Sequence, residues 1–177
     1  LAHFYPYTYT QLDAYLDDVE QDARVTREAV GQTVEGRPIE MLTITDRDLP
    51  DDTKRRIWLH GRSHPAETGS SFLLEGLVDF LLSGEVAADE ALERFVFNVV
   101  PMHNVDGVVV GNYRTTPQSI NLEDSWFYDP DEAYELLDDA PLEVHVLRDA
   151  FADLLLGDDA LPVTVAVNLH SSNGPPD

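Results

Sequence analysis

Apolar positions along the chain follow two rhythms in turn. Residues 10–22 place Leu12, Tyr15, Leu16 and Val19 three and four apart, with Thr10 able to cap, and predict an amphipathic helix. Residues 24–30 and 38–45 are β-rich. Val34-Glu35-Gly36-Arg37-Pro38 between them supplies turn chemistry, so an antiparallel pair is expected. Residues 56–61 (RIWLHG) read as a short buried strand ended by glycine. Residues 70–83 then carry Leu73, Leu74, Leu77, Val78, Leu81 and Leu82 over a wide helical face, with Gly84 as the stop. Residues 95–102 (FVFNVVPM) predict another core strand. Residues 103–130 show no periodicity and read as a long loop, the kind of segment that usually bears function. Pro141 opens a helix through residue 156, and residues 163–169 (VTVAVNL) form a last apolar strand that delivers His170 at its end.

Strands alternating with helices predict an α/β fold, a mixed, mostly parallel sheet flanked by helices on both faces. Ligands in such sheets sit beyond the strand C-termini. Three polar clusters fall at such ends: His64 with Glu67, the 103–126 loop, and His170. No repeat or composition break divides the chain, so residues 1–177 are expected to be one domain.

Composition narrows the chemistry. The chain lacks cysteine, which excludes disulfides, zinc–thiolate sites and thiol nucleophiles, so a transition metal here must be held by His and carboxylate. Its 34 acidic residues against 11 basic ones give a net charge of −23. Such a surface repels phosphate backbones and anionic lipid, which argues against nucleic-acid and membrane partners. The acids are dispersed in pairs along the chain (Asp17-Asp18, Asp51-Asp52, Asp138-Asp139, Asp158-Asp159), as on the solvated surfaces of proteins from salt-loving organisms. No apolar run reaches the length of a membrane span and the N-terminal residues carry no signal pattern, so a cytoplasmic location is expected. Neither a P-loop, a dinucleotide-binding glycine motif nor a G-x-S-x-G elbow is present.

His64-Pro65-Ala66-Glu67 places an imidazole and a carboxylate three apart, just past a predicted strand and entering a helix. That spacing lets both reach one ion. Alone, such a pair far more often describes a surface histidine beside a helix-capping acid. His60 with His64 would be a rival pair, but residues 57–61 are predicted to be extended, so the two would not stack on one helical face.

Context strengthens the first pair. Gly31–Ile39 (GQTVEGRPI) is followed by Gly61-Arg62-Ser63-His64-Pro65-Ala66-Glu67-Thr68, and then by Ser70–Leu77 (SSFLLEGL). Val100–Arg114 (VPMHNVDGVVVGNYR) and Asn168-Leu169-His170-Ser171 complete the series. In this order the stretches resemble the M14 zinc carboxypeptidases, within them the cytosolic carboxypeptidase-like branch, over nearly the whole chain. The resemblance implies a zinc ion (Zn2+) held by His64, Glu67 and His170, the His₂Glu set used to illustrate carboxypeptidase sites in general. It implies that Arg114 polarises the scissile carbonyl, a role an always-charged fork suits; a surface ion pair is the plain alternative. Asn112 is placed on the substrate side. Asn104, Asp106 and Gly107 resemble the family's Asn-Pro-Asp-Gly turn, with Val105 in place of proline, and read as scaffolding. His103 and His145 read as ordinary polar residues.

Two departures stand out. Where members of the family continue into Asp-Leu-Asn-Arg, whose Asn-Arg pair grips the substrate's C-terminal carboxylate, this chain has Asn121-Leu122-Glu123-Asp124. Two acids replace the clamp and would repel a carboxylate, so Glu123 and Asp124 are expected to receive a cationic or amine-bearing group, or else to face solvent. In the family, the general-base glutamate lies downstream of the third ligand, and the chain stops at Asp177. Residues 1–177 are therefore expected to be an incomplete catalytic domain without its C-terminal part. The expected function is zinc-dependent hydrolysis of a peptide or small amide. A non-catalytic zinc-binding module of the same fold and an N-acyl amino acid deacylase are the alternatives.

Overall fold

The computed structural model describes residues 5–132, 135–157, 161 and 163–171. The chain opens with helix α1 (Tyr9–Val19), whose buried residues are Leu12, Leu16 and Val19. Its cap is Thr8, two residues before the expected Thr10. The Thr8 hydroxyl accepts from the Gln11 N–H at 3.2 Å and the Gln11 side chain accepts from the Thr8 N–H at 2.8 Å, a reciprocal box that sets the helix start. Strands β1 (Val25–Gln32) and β2 (Pro38–Ile44) then pair antiparallel, as the turn between them predicts. Next come β3 (Arg55–Gly61), α2 (Gly69–Leu82), α3 (Val86–Arg94), β4 (Phe95–Val100), α4 (Val105–Val110), α5 (Leu142–Leu156) and β5 (Val163–Leu169).

The sheet order is β1-β2-β4-β3-β5. β3 pairs parallel with both β4 and β5, while β2 runs antiparallel to β1 and to β4. Four strands therefore point one way and β2 alone the other, which makes the sheet mixed and mostly parallel. Because β3 sits between β4 and β5, their three C-terminal ends lie side by side. The residues that follow them, Arg62 onward, Pro101 onward and His170, emerge along one rim.

Side-chain alternation sends the strands' apolar residues to both faces. Leu42, Ile44, Leu59, Phe97 and Val99 join a core with residues of α1 and α2. Ile39, Met41, Trp58 and Val100 turn to the other face, where Leu147 and Phe151 of α5 cover them. Helices thus protect both faces, the condition under which parallel strands are stable.

Two helices lie outside the sequence expectation. In α3 only Ala88 and Leu92 are buried, too sparse a pattern for periodicity to stand out. α4 forms within the stretch expected to be loop. Its sequence VDGVVV has poor intrinsic helix propensity, but the Asn104 side chain accepts from the Gly107 N–H at 3.0 Å and left-handed Gly111 (φ 78°) closes the C-terminus. Local capping and burial of Val105 override propensity here.

Gly107 is required by a close approach. A Cβ there would lie 2.5 Å from Pro65 Cγ and 2.7 Å from the Thr115 carbonyl oxygen, which is backbone and cannot swing away. Gly107→Ala is expected to destabilise the fold by about 1–3 kcal/mol through overpacking, read as a lowered denaturation midpoint with unchanged m-value.

Candidate metal centre

The site begins where β3 ends. Arg62 adopts a left-handed conformation (φ 60°), which turns the chain sharply, and its guanidinium is buried beneath the turn it creates. It donates to the Pro65 carbonyl from Nε (3.0 Å) and Nη2 (2.6 Å), to Ser71 Oγ (2.8 Å) and to the Tyr7 carbonyl (3.2 Å). Burial pushes its pKa down to about 10, so it stays charged at neutral pH while binding chiefly backbone oxygen. This residue shapes the His64–Glu67 turn and was not singled out from sequence. A left-handed arginine has no signature there.

The β4 exit braces the same turn. Asn104 accepts nothing from it but donates twice, from its N–H to the Arg62 carbonyl (3.1 Å) and from Nδ2 to the Ser63 carbonyl (3.1 Å). Buried Asp106 receives the Thr33 hydroxyl (2.8 Å), the Glu35 N–H (3.0 Å) and Arg37 (2.6 Å), which anchors α4 to the β1–β2 turn. The Ala66 N–H donates to the Tyr113 carbonyl at 3.0 Å and so holds residue 113 against the His64–Glu67 turn.

Three ligand-type side chains converge above this frame. The donor atoms of His64, Glu67 and His170 all lie within 4.8 Å of one another. His64 Nδ1 is 2.9 Å from Glu67 Oε1, and His170 Nδ1 is 2.8 Å from Glu67 Oε2. The Ser171 N–H donates to the same Oε2 at 3.0 Å. Burial alone would raise the Glu67 pKa, but the Ser171 N–H and the imidazoles of His170 and His64 beside the carboxylate outweigh it and hold the carboxyl below its ordinary range.

The outer nitrogens are also met by acceptors. His64 Nε2 lies 3.0 Å from Asn121 Oδ1, and His170 Nε2 lies 3.5 Å from Glu123 Oε2. A neutral imidazole has a single N–H, yet each ring faces oxygen at both nitrogens. A divalent cation held by His64, Glu67 and His170 would resolve this at both rings at once, taking the Nδ1 lone pairs and leaving the Nε2 protons facing Asn121 and Glu123. Two imidazoles and a carboxylate, with oxygen acceptors behind the rings, form a donor set that fits zinc.

The other candidates are placed as follows. Glu123 points into the site, accepts Asn168 Nδ2 at 3.0 Å and has a side chain only 19% exposed. Burial pushes its carboxyl up, but hydrogen bonds, including that from Asn168, and the nearby His170 leave it net below the usual range. Asp124, its neighbour, is exposed and accepts from Asn121 Nδ2. Asn112 spends its amide on the Thr115 and Thr116 carbonyls (3.1 and 3.0 Å), closing the loop that carries Arg114. Arg114 directly follows the tethered Tyr113, is partly exposed, and forms no ion pair among the described residues.

Beneath the site, His103 is fully buried between Ser63 Oγ (3.0 Å) and the Glu143 carbonyl (2.9 Å), so it braces the loop. His60 accepts the Trp58 indole N–H at 2.9 Å through Nδ1. With Asn168 and Trp126, it also lines a cleft of about 590 Å3 between α5 and β5.

An α/β sheet with a His₂Glu cluster at the ends of adjacent parallel strands is the arrangement of a metal-dependent hydrolase site. Comparison with known proteins names the family. The family model described as zinc carboxypeptidase matches residues 12–129. Cytosolic carboxypeptidase 6 of Mus musculus is 41% identical over 129 residues, which is 71% of this chain and 24% of that protein. Cytosolic carboxypeptidase 2 of Mus musculus is 41% identical over 120 residues, 64% of this chain and 14% of the relative. A metallo-carboxypeptidase from Burkholderia cenocepacia superposes with a TM-score of 0.78 at 28% identity, over 94% of this chain and 42% of that one. Carboxypeptidase A from Helicoverpa armigera, at 19% identity and a TM-score of 0.73, shares the fold. The chain belongs to the zinc carboxypeptidase family. It spans a quarter or less of the length of these curated relatives. Among the described residues, no helix is long and apolar enough to cross a membrane.

Two outcomes follow from this geometry. His64→Ala, Glu67→Ala and His170→Ala are each expected to weaken zinc binding by at least about 100-fold, measured by competition with a chromophoric chelator, because each removes one of three donors. Burial also pushes the His60 pKa down to about 3 from its ordinary 6.5. The unfolded chain therefore binds a proton here that the folded chain refuses, and stability falls as pH drops through the window between those values. His60→Gln keeps an acceptor for Trp58 but cannot titrate. It is expected to reduce the slope of unfolding free energy against pH near pH 5 by about one proton, roughly 1.4 kcal/mol per pH unit.

Proposed function

We propose that this chain forms the metal-holding part of a zinc-dependent hydrolase of peptide or amide bonds whose site for the substrate's terminal carboxylate is altered. The observation that carries the reading is the meeting of His64, Glu67 and His170 donor atoms within 4.8 Å at the strand ends. Zinc held there supplies a Lewis acid and lowers the pKa of water. The chain's own residues do the rest. Glu67 and the two imidazoles hold and orient the ion. Arg114, carried by the loop that Tyr113 pins to the ligand turn, offers a permanent positive fork to a scissile carbonyl whose oxygen gains charge.

The substrate side differs from the family's pattern in charge. Glu123 reaches to 3.5 Å from His170 Nε2 and is largely shielded from solvent. A carboxylate arriving beside it meets repulsion that water screens poorly. Substrates with a neutral or amine-bearing group on that side are favoured over free acids. The location expected from the relatives, which are named cytosolic, is the cytoplasm.

With the zinc-loaded full-length protein, matched peptides differing only in a free or amidated C-terminus are expected to be cleaved at comparable rates, or the amide faster. A tenfold or greater preference in kcat/KM for the free acid, about 1.4 kcal/mol, overturns the altered carboxylate site.

A further inference from the structure

Asn121 and Asp124 bracket the outer side of the metal site. Asn121 stands at the start of a short 3-10 turn (Leu122–Asp124). Its Oδ1 lies 3.0 Å from His64 Nε2 and also accepts the Glu123 N–H at 3.3 Å, while its Nδ2 donates to Asp124 Oδ2. An amide side chain has one accepting end and one donating end, and nothing in its shape decides which faces the histidine. An ionised aspartate can only accept. Asp124 therefore takes the NH₂ end, and the Glu123 N–H independently takes the oxygen end. With oxygen turned inward, the only bond available to His64 at Nε2 is one in which the ring donates. The proton is held at Nε2 and the Nδ1 lone pair is left facing Glu67 and His170.

We propose that Asp124 and Asn121 form a two-residue relay that sets the tautomer of His64 for metal binding, with Asp124 acting as a positioning residue through the amide and not as a contact to substrate. The inference rests on the His64–Glu67–His170 metal reading. It accounts for a detail that reading leaves unexplained, namely why the exposed Asp124 carboxylate is turned back onto Asn121. A carboxylate at position 121 would accept from His64 directly and need no partner to orient it. The relay is what makes a neutral amide sufficient at that position.

The relay makes a sign prediction that a merely structural role does not. Zinc dissociation constants are measured by chelator competition on the full-length protein and on Asn121→Leu, Asp124→Asn, Asn121→Asp and the Asn121→Asp/Asp124→Asn double variant. Asn121→Leu is expected to weaken binding about 10–100-fold, and Asp124→Asn by a smaller factor, about three- to tenfold, because Asn at 124 can present either end of its own amide. Asn121→Asp is expected to keep binding within a few-fold of the parent. In that background Asp124→Asn is expected to cause no loss or a gain, since it now removes a like charge and not an orienting acceptor. The visible absorption of the cobalt(II)-loaded proteins should follow the same pattern. Equal losses from Asp124→Asn in both backgrounds, or no loss in the parent, overturn the relay while leaving the metal site standing. Absence of tight zinc binding by the parent protein overturns the metal reading and the relay with it.

Discussion

The Glu67 carboxylate is where two distant parts of the chain meet. One oxygen faces His64, three residues away, and the other faces His170, 103 residues away. Such a group, largely removed from water, is tolerable only with its lone pairs engaged. The Ser171 N–H and the two imidazoles provide that engagement. Everything else about the site follows from holding this carboxylate at the junction of β3 and β5.

That junction is a product of strand order. Were β5 paired anywhere but beside β3, His170 would leave the sheet too far from the β3 exit to share an ion with His64. The parallel register, which sets His60 against Asn168 and Gly61 against Leu169, brings the two exits level. Arg62 then bends the chain so that His64 and Glu67 turn over the rim. Its buried guanidinium spends its donors on the Pro65 and Tyr7 carbonyls and the Ser71 hydroxyl, which stiffens the ligand turn without a carboxylate partner among the described residues. Asn104 and His103 brace the same turn from β4, so the exits of β3 and β4 together form one small frame. Preorganisation of this kind keeps ligands positioned before the ion arrives.

Glu123 and Asp124, adjacent in sequence, diverge. Glu123 turns inward to His170 and Asn168, while Asp124 turns outward to Asn121. Adjacent residues on a 3-10 turn point in different directions, so two neighbouring acids meet unlike environments. One acid lies at the site with its charge stabilised by donors, and the other orients a neighbour from the surface.

Much of this was legible in the sequence. The alternation of apolar runs predicts the strands and the three longer helices, because burial on two faces imposes its period directly on the side chains. The ligand types and the 64/67 spacing gain meaning from the ordered stretches around them, and the absence of cysteine confines any metal to His and carboxylate. Short elements were less visible: α3 buries too few residues to show a period, and α4 is made by a side-chain cap and tertiary packing against its own propensity. The roles of Arg62, Asn121 and Asp124 were hidden for a different reason. A left-handed bend, the end of an amide that faces a histidine, and the direction in which an acid turns are decided by neighbours far away in the chain. The sequence determines which donors exist and which strands deliver them. Only the tertiary structure decides that they converge on Glu67, because hydrogen-bond geometry between residues a hundred positions apart exists only once β5 has docked on β3.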